Sequence, residues 1–203
     1  MMQRFRSKAD TKGGLLKSGL AFGLSLATVA VVVTGALFTD SASVGANTFA
    51  TGTVDLTTGP TTALISFSGM APGDSATQSL SVSNAGTLAL RYALSSSATN
   101  VDTKALKDQL TLTIKTIDVT LPATPCDNFD GTQLYTGDTD STAGKLVGDS
   151  TQGAQAGDRS LGATDIETLC FRVELPSATG NAFQDAATTV TFTFDAEQTA
   201  NNA

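Results

Sequence analysis

The sequence predicts an all-β fold, a jelly-roll-like β-sandwich, preceded by an N-terminal hydrophobic signal helix. Three observations carry that reading. Several segments alternate apolar and polar residues with a period of two and are rich in Thr, Val, Phe and Leu, as half-buried strands are. Gly, Pro, Asn and Asp cluster between them as turn signals. No long amphipathic helix pattern competes, so eight to ten short strands are expected to form two packed sheets.

The first element is the hydrophobic helix. Arg4, Arg6, Lys8, Lys12 and Lys17 precede an uncharged run from Gly19 to Phe38, which as a helix is about 30 Å long and matches a bilayer core. Basic residues before the run hold the N-terminus in the cytoplasm and send the remainder across. Thr34 and Ala36 are the small residues of a peptidase site that would cut between Ala36 and Leu37. Residues 1–36 therefore read as a signal peptide, or as a retained membrane anchor if the cut is not made, and residues 37–203 as one β-sandwich domain. That domain carries seven basic and eighteen acidic side chains, a formal charge of −11. Such a surface repels nucleic acid and anionic membranes, which leaves membrane contact only to an uncleaved N-terminal segment.

Along the domain, Ala71-Pro72-Gly73-Asp74 reads as a type II turn. Leu80 and Val82 alternate with Ser81 and Ser83, and Leu88, Leu90, Tyr92 and Leu94 share one face of the next strand. Asn84-Ala85-Gly86 between the two supplies the turn chemistry of a hairpin. A short helical turn is expected over Asp102 to Gln109, with Asp102 as N-cap, and another over Asn181 to Gln184. From 110 to 121 the apolar phase changes: Leu110, Leu112 and Ile114 give way to Ile117, Val119 and Leu121. A β-bulge near Lys115 and Thr116 would restore one buried face, and burial on both faces is the alternative. Residues 122–166 read as an irregular insertion. Leu169, Phe171, Val173 and Leu175, then Val190, Phe192 and Phe194, mark the two strongest core strands.

Cys126 and Cys170 are the chain's cysteines. An exported chain with an even number is expected to pair them, two buried free thiols being the alternative. Cys170 lies between Leu169 and Phe171, so the pleat turns its sulfur to the outer face. The loop with Pro125 and Cys126 is then expected to cross that face.

Little catalytic chemistry is visible. The chain has no histidine, which removes the commonest general base, the His-containing triads and every His-ligated zinc site. No phosphate loop, HExxH helix or GxSxG elbow occurs. Ser-Lys pairings with Lys104, Lys107, Lys115 or Lys145 have no distinguishing pattern. No catalytic residue and no cofactor are assigned. The one metal candidate is calcium, for which Asp127, Asp130, Asp138 and Asp140, with Asn128, offer oxygen ligands. They lack an EF-hand's spacing, and Gly131 and Gly137 beside them give Asp and Asn an ordinary turn role.

The boundary segment TGALFTDSASVGANTFATGTVDL resembles the TasA/camelysin family of exported Gram-positive proteins. Carrying the resemblance are Ala36, Phe38 and Asp40, the motif from Asn47 to Leu56, the turn at Pro72 to Asp74, Asn84 to Leu88, and TFTFDAEQT from Thr191 to Thr199. The segment Thr168 to Pro176, with Cys126, is similar to a cysteine-bearing actinobacterial branch. The resemblance implies a jelly-roll sandwich, cleavage by a SipW-type signal peptidase, and a structural role as subunit or accessory of cell-surface or biofilm-matrix fibres. It implies partners that are further copies or related family subunits. Assembly would proceed by N-terminal strand addition, the segment from Leu37 towards Thr51 inserting into a neighbour, with Phe38, Val44 and Phe49 as apolar anchors. Two other functions stand beside this one: a camelysin-like surface metallopeptidase, which would need a metal site built without histidine, and a membrane-anchored envelope adhesin.

Overall fold

The computed structural model describes residues 50–61, 64–66, 69–120, 124–140 and 145–202. The signal helix, the Ala36-Leu37 cut and the anchors Phe38, Val44 and Phe49 lie outside the described residues. Within them run β1 (Leu56–Gly59), β2 (Ser75–Asn84), β3 (Leu90–Ala98), β4 (Thr111–Thr116), β5 (Gln133–Asp138), β6 (Lys145–Val147), β7 (Arg159–Leu161), β8 (Ile166–Glu174) and β9 (Val190–Gln198). Two single-turn 3-10 helices, Leu106–Asp108 and Asn181–Phe183, complete the regular structure.

The first sheet has the order β1-β2-β8-β4-β5. In the second, β9 pairs with β3 from Leu90 to Ala98, which occupies one whole edge of β3. The opposite edge is shared by β7, against Leu90 to Tyr92, and β6, against Leu94 and Ser95. Every pairing is antiparallel, and the chain passes repeatedly from one sheet to the other, the jelly-roll-like architecture of an all-β sandwich.

Period-two alternation places the core. Val82, Leu90, Leu112, Ile114, Leu169 and Phe171 are fully buried between the sheets. Each such aliphatic or aromatic side chain contributes roughly 1.5–3 kcal/mol by leaving water. Phe192 and Phe194 of β9 pack on this core, Phe192 with its ring centroid 5.1 Å from that of Phe171 and Phe194 6.1 Å from Tyr92. Both remain half-buried because β9 is the last strand of its sheet.

The type II turn is present: Asp74 N donates to Ala71 O at 2.9 Å and Gly73 has φ +97°. The hairpin expected at Asn84-Ala85-Gly86 is not. β2 bonds β1 and β8, β3 bonds β6, β7 and β9, and the three residues form a crossover between sheets. Asn84 dictates this, because its buried amide reaches across to Gly162 O and Leu88 O, both at 2.8 Å. Gly86 lies so close to residues 53–55 that a Cβ would sit 2.3 Å from Thr53 O.

Three further expectations need correction. Leu110, Leu112 and Ile114 are buried, but β4 stops at Thr116 and leaves Ile117 37% and Val119 73% exposed. The irregularity does fall at this point, on the partner strand: Ile114 faces Tyr135 and Lys115 faces Gln133, so Leu134 is the additional residue. Asp102 is not an N-cap, since the 3-10 turn starts after Ala105, which has φ +57° and no side-chain cap. Finally, the 122–166 segment supplies β5, β6 and β7. Strands of three to six residues with polar outer faces carry too little alternation to be read locally, and they form because β3 and β4 offer edges.

The two sheets are also tied by polar groups. Tyr92 OH donates to Glu167 Oε2 at 2.6 Å, and Glu167 pairs with Arg159. Burial, then the Glu167 carboxylate, pushes the Tyr92 phenol above its ordinary value. A neutral form favoured by folding stabilises fully below the unfolded value of about 10 and is lost as pH rises through the folded one. We therefore expect the difference in urea midpoint between the wild type and Tyr92→Phe to be constant up to about pH 9.5 and to shrink as pH rises above about 10; a difference that stays constant there would remove this linkage.

Candidate functional site

The second sheet is narrower than the first. Among the described residues β9 bonds β3 alone, so its far edge presents N–H and C=O groups without a strand partner. Proteins usually protect such an edge with charge, and β9 does so only in its second half, at Asp195 and Glu197. Its first half, Val190 to Phe194, reads VTFTF and carries no charge.

Alongside this uncharged half opens a groove of about 1000 Å³. Val173 and Leu175 form its wall on the first sheet, and Val190 and Phe192 on the second. Leu64, Ile65, Leu106 and Leu110 add further apolar surface. Ser66, Thr139, Asn181, Gln184, Asp185 and Thr188 line it as well, so polar and apolar groups share its surface.

The rim is held by a few specific bonds. Asp102 accepts from Lys104 N at 3.0 Å and Ala187 N at 2.6 Å, joining the first 3-10 turn to the segment before β9. Those two amides hold its carboxyl below the usual carboxylate range. Lys104 Nζ donates to Gln184 O at 2.5 Å, and Thr188 Oγ1 to Thr99 O at 2.8 Å. After β8 the chain turns, with Thr179 N donating to Pro176 O at 2.9 Å, and brings Thr179 to the groove. Its Oγ1 is buried without a hydrogen-bond partner.

The cysteines are elsewhere. Cys126 and Cys170 form a disulfide with their Cα atoms 5.4 Å apart, on the outer face of the first sheet. With Phe129 they make a small second core. The Phe129 ring faces the Arg172 guanidinium at 3.8 Å and the Lys115 ammonium at 4.6 Å, cation–π contacts that close the patch. Sequence reading passed over Phe129, whose one signal was a lone aromatic in a polar loop three residues after Cys126.

The calcium candidates do not converge. Asp130 accepts from Val119 N at 2.8 Å and from Thr120 N. A small desolvation opposes the charge of this exposed side chain, and hydrogen bonds from Thr120 and Val119 overcome it to lower its pKa. Asp140 pairs with Lys107 at 3.0 Å, Asp138 is exposed at the end of β5, and Asp127 is exposed in the loop. A smaller cavity of about 260 Å³ outside the second sheet holds Arg91, Asp158 and Glu197, but these bond one another's surroundings: Arg91 Nε lies 2.5 Å from Glu197, and Asp158 accepts from Gln155 N and Asp149 N.

A family model described as camelysin metallo-endopeptidase matches residues 15–203. Comparison with the curated proteins gives no match. The description implies a metal ion, and the donor set does not fit one. The chain has no histidine, both cysteines are in the disulfide, and among the described residues no three Cys, Asp or Glu side chains group as metal ligands. No catalytic step is therefore derived through a metal. Because the match runs through the whole sandwich, the chain belongs to the camelysin family.

Proposed function

We propose that the protein is an exported structural subunit of cell-surface or matrix fibres, in which the N-terminal segment of one copy adds as a strand to the β9 edge of the next. The observation that carries the proposal is the uncharged half of β9, which has no strand partner among the described residues and lies beside the groove. A strand added there gains main-chain bonds from the edge and burial from the groove. A signal peptidase cut before Leu37 frees the segment that does this. The acidic domain and its disulfide suit an oxidising exterior.

The positions of the two ends support open-ended growth. The described chain begins beside the Asn84 to Leu88 crossover, where Thr53 O accepts from Thr87 N and Leu88 N. The groove lies at the opposite end of the sandwich, where β2 starts, with Ala76 in its lining. Ten residues of β2 separate them, about 30 Å at the rise of a strand. A segment that leaves the domain beside Thr53 and enters the groove of the next copy makes a head-to-tail contact, which extends and does not close on itself unless the rotation permits.

The test is electron microscopy of the secreted protein, with its N-terminus sequenced, beside a Thr191→Lys/Thr193→Lys variant. Both threonines are exposed, so the variant is expected to fold and be secreted but to form no fibres. Wild-type protein that stays monomeric, or fibres unaffected by the two lysines, would overturn the proposal. We assign no peptidase activity; chelator-sensitive hydrolysis of casein by the pure protein would reverse that assignment.

A further inference from the structure

We infer that the Cys126–Cys170 bond is made before the turn over residues 125–130 closes, by disulfide exchange on an incompletely folded exported chain, and that the closed turn then shields it from thiols. Both cysteines are buried although they lie on the outer face of a sheet, Cys126 at 2% and Cys170 at 0% exposure. Ile166, which shares that face of β8 where the turn does not reach, is 68% exposed. The cover over the sulfurs is Phe129, buried with them and held by its contacts with the Arg172 guanidinium and the Lys115 ammonium. Other bonds keep the turn closed. Buried Asp118 accepts from Asn128 N and Asp130 N, Lys115 Nζ donates to Phe129 O, and Asn128 Nδ2 donates to Thr120 O at 3.0 Å.

Thiol–disulfide exchange needs a thiolate to reach a sulfur of the bond being exchanged, so it stops where both sulfurs are covered. When the bond forms, one chain thiolate attacks the disulfide of the oxidant, giving a mixed disulfide and expelling one thiolate. The second chain thiolate then displaces the other. The two cysteines lose two electrons and two protons, and the incoming disulfide becomes two thiols. The substrate of that reaction is therefore the chain with its turn still open, and the closed native chain is not. Reduction runs the same steps in reverse and meets the same cover.

The experiment follows free thiols in the full secreted chain by alkylation and mass. Opening the turn breaks its hydrogen bonds and exposes Phe129, so dithiothreitol is expected to reduce the native protein at least about 100-fold more slowly than protein held in urea above its unfolding transition. Chain refolded with its thiols reduced and then given oxidised glutathione is expected to form the bond at least about 100-fold more slowly than chain given the oxidant during refolding. Phe129→Ala is expected to be reduced about ten-fold faster than wild type, at a rate that barely changes with low urea, because a local opening exposes little surface. Phe129→Leu, which keeps an apolar cover, is expected to fall between the two. Equal rates in native and unfolded protein, or fast oxidation of the refolded chain, would overturn the inference. So would a Phe129→Ala rate that matches wild type or climbs steeply with urea, since unfolding of the whole domain would then be the gate.

Discussion

A Cys126→Ala/Cys170→Ala variant is expected to lose about 4 kcal/mol of unfolding free energy while keeping the sandwich. The two residues are 44 apart in sequence, and cross-linking a loop of that length removes this much chain entropy from the unfolded state in the loop-closure model. The native fold around the loop has other anchors. Asp118 accepts from Asn128 N at 2.8 Å and Asp130 N at 3.2 Å, while Asp130 returns the contact to Val119 N. Lys115 Nζ donates to Phe129 O at 2.8 Å. Because the disulfide lies on the outer face, its removal leaves Leu169 and Phe171 packed as before. Urea denaturation of both proteins checks this: a lower midpoint with a single transition is expected, and a loss below about 1 kcal/mol would show that the unfolded chain gains little from the cross-link.

Asn84→Ala is expected to destabilise the domain by about 3 kcal/mol, a large effect for one surface-sized polar side chain. Asn84 is 1% exposed. Its Nδ2 donates to Leu88 O and Gly162 O, and its Oδ1 accepts from Gly86 N at 2.9 Å. Alanine removes the bonds that Asn84 makes to Leu88 O and Gly86 N and leaves Gly162 O with only Asp165 N as donor, and each unmade buried bond costs about 1–3 kcal/mol before relaxation and water reduce the total. Asn84→Asp is the useful companion. It keeps the acceptor for Gly86 but turns a second oxygen towards two carbonyls, so it should cost at least as much as alanine. If alanine changes the urea midpoint by less than the equivalent of about 1 kcal/mol, Asn84 is not the tie between the sheets.

Much of the fold is legible locally. The inward faces of β2, β3 and β8 follow from alternation alone, because a pleated strand turns successive side chains to opposite sides whatever it pairs with. The same rule put Cys170 outside the core. The candidate site was far less legible. Its groove is assembled from Leu64, Leu106, Val173, Thr179 and Phe192, residues from five separate stretches, none of which carries a motif. Asp102 looked like a helix cap because Asp before a polar turn usually is one; its second bond, to Ala187, spans 85 residues and has no local signature.

By itself, the sequence determined that this chain is an all-β sandwich, which faces its strands bury, and that histidine chemistry is absent. It also specified the type II turn at Ala71 to Asp74, because Pro and Gly restrict φ without help from neighbours. Only the tertiary structure decided that Asn84 to Gly86 cross between sheets, that β9 stands at an edge with its phenylalanines half-buried, and that Thr179 keeps a hydroxyl unmatched at the groove. The reason is physical: alternation encodes which side of a strand is buried, whereas pairing, edges and cavities depend on which strands meet.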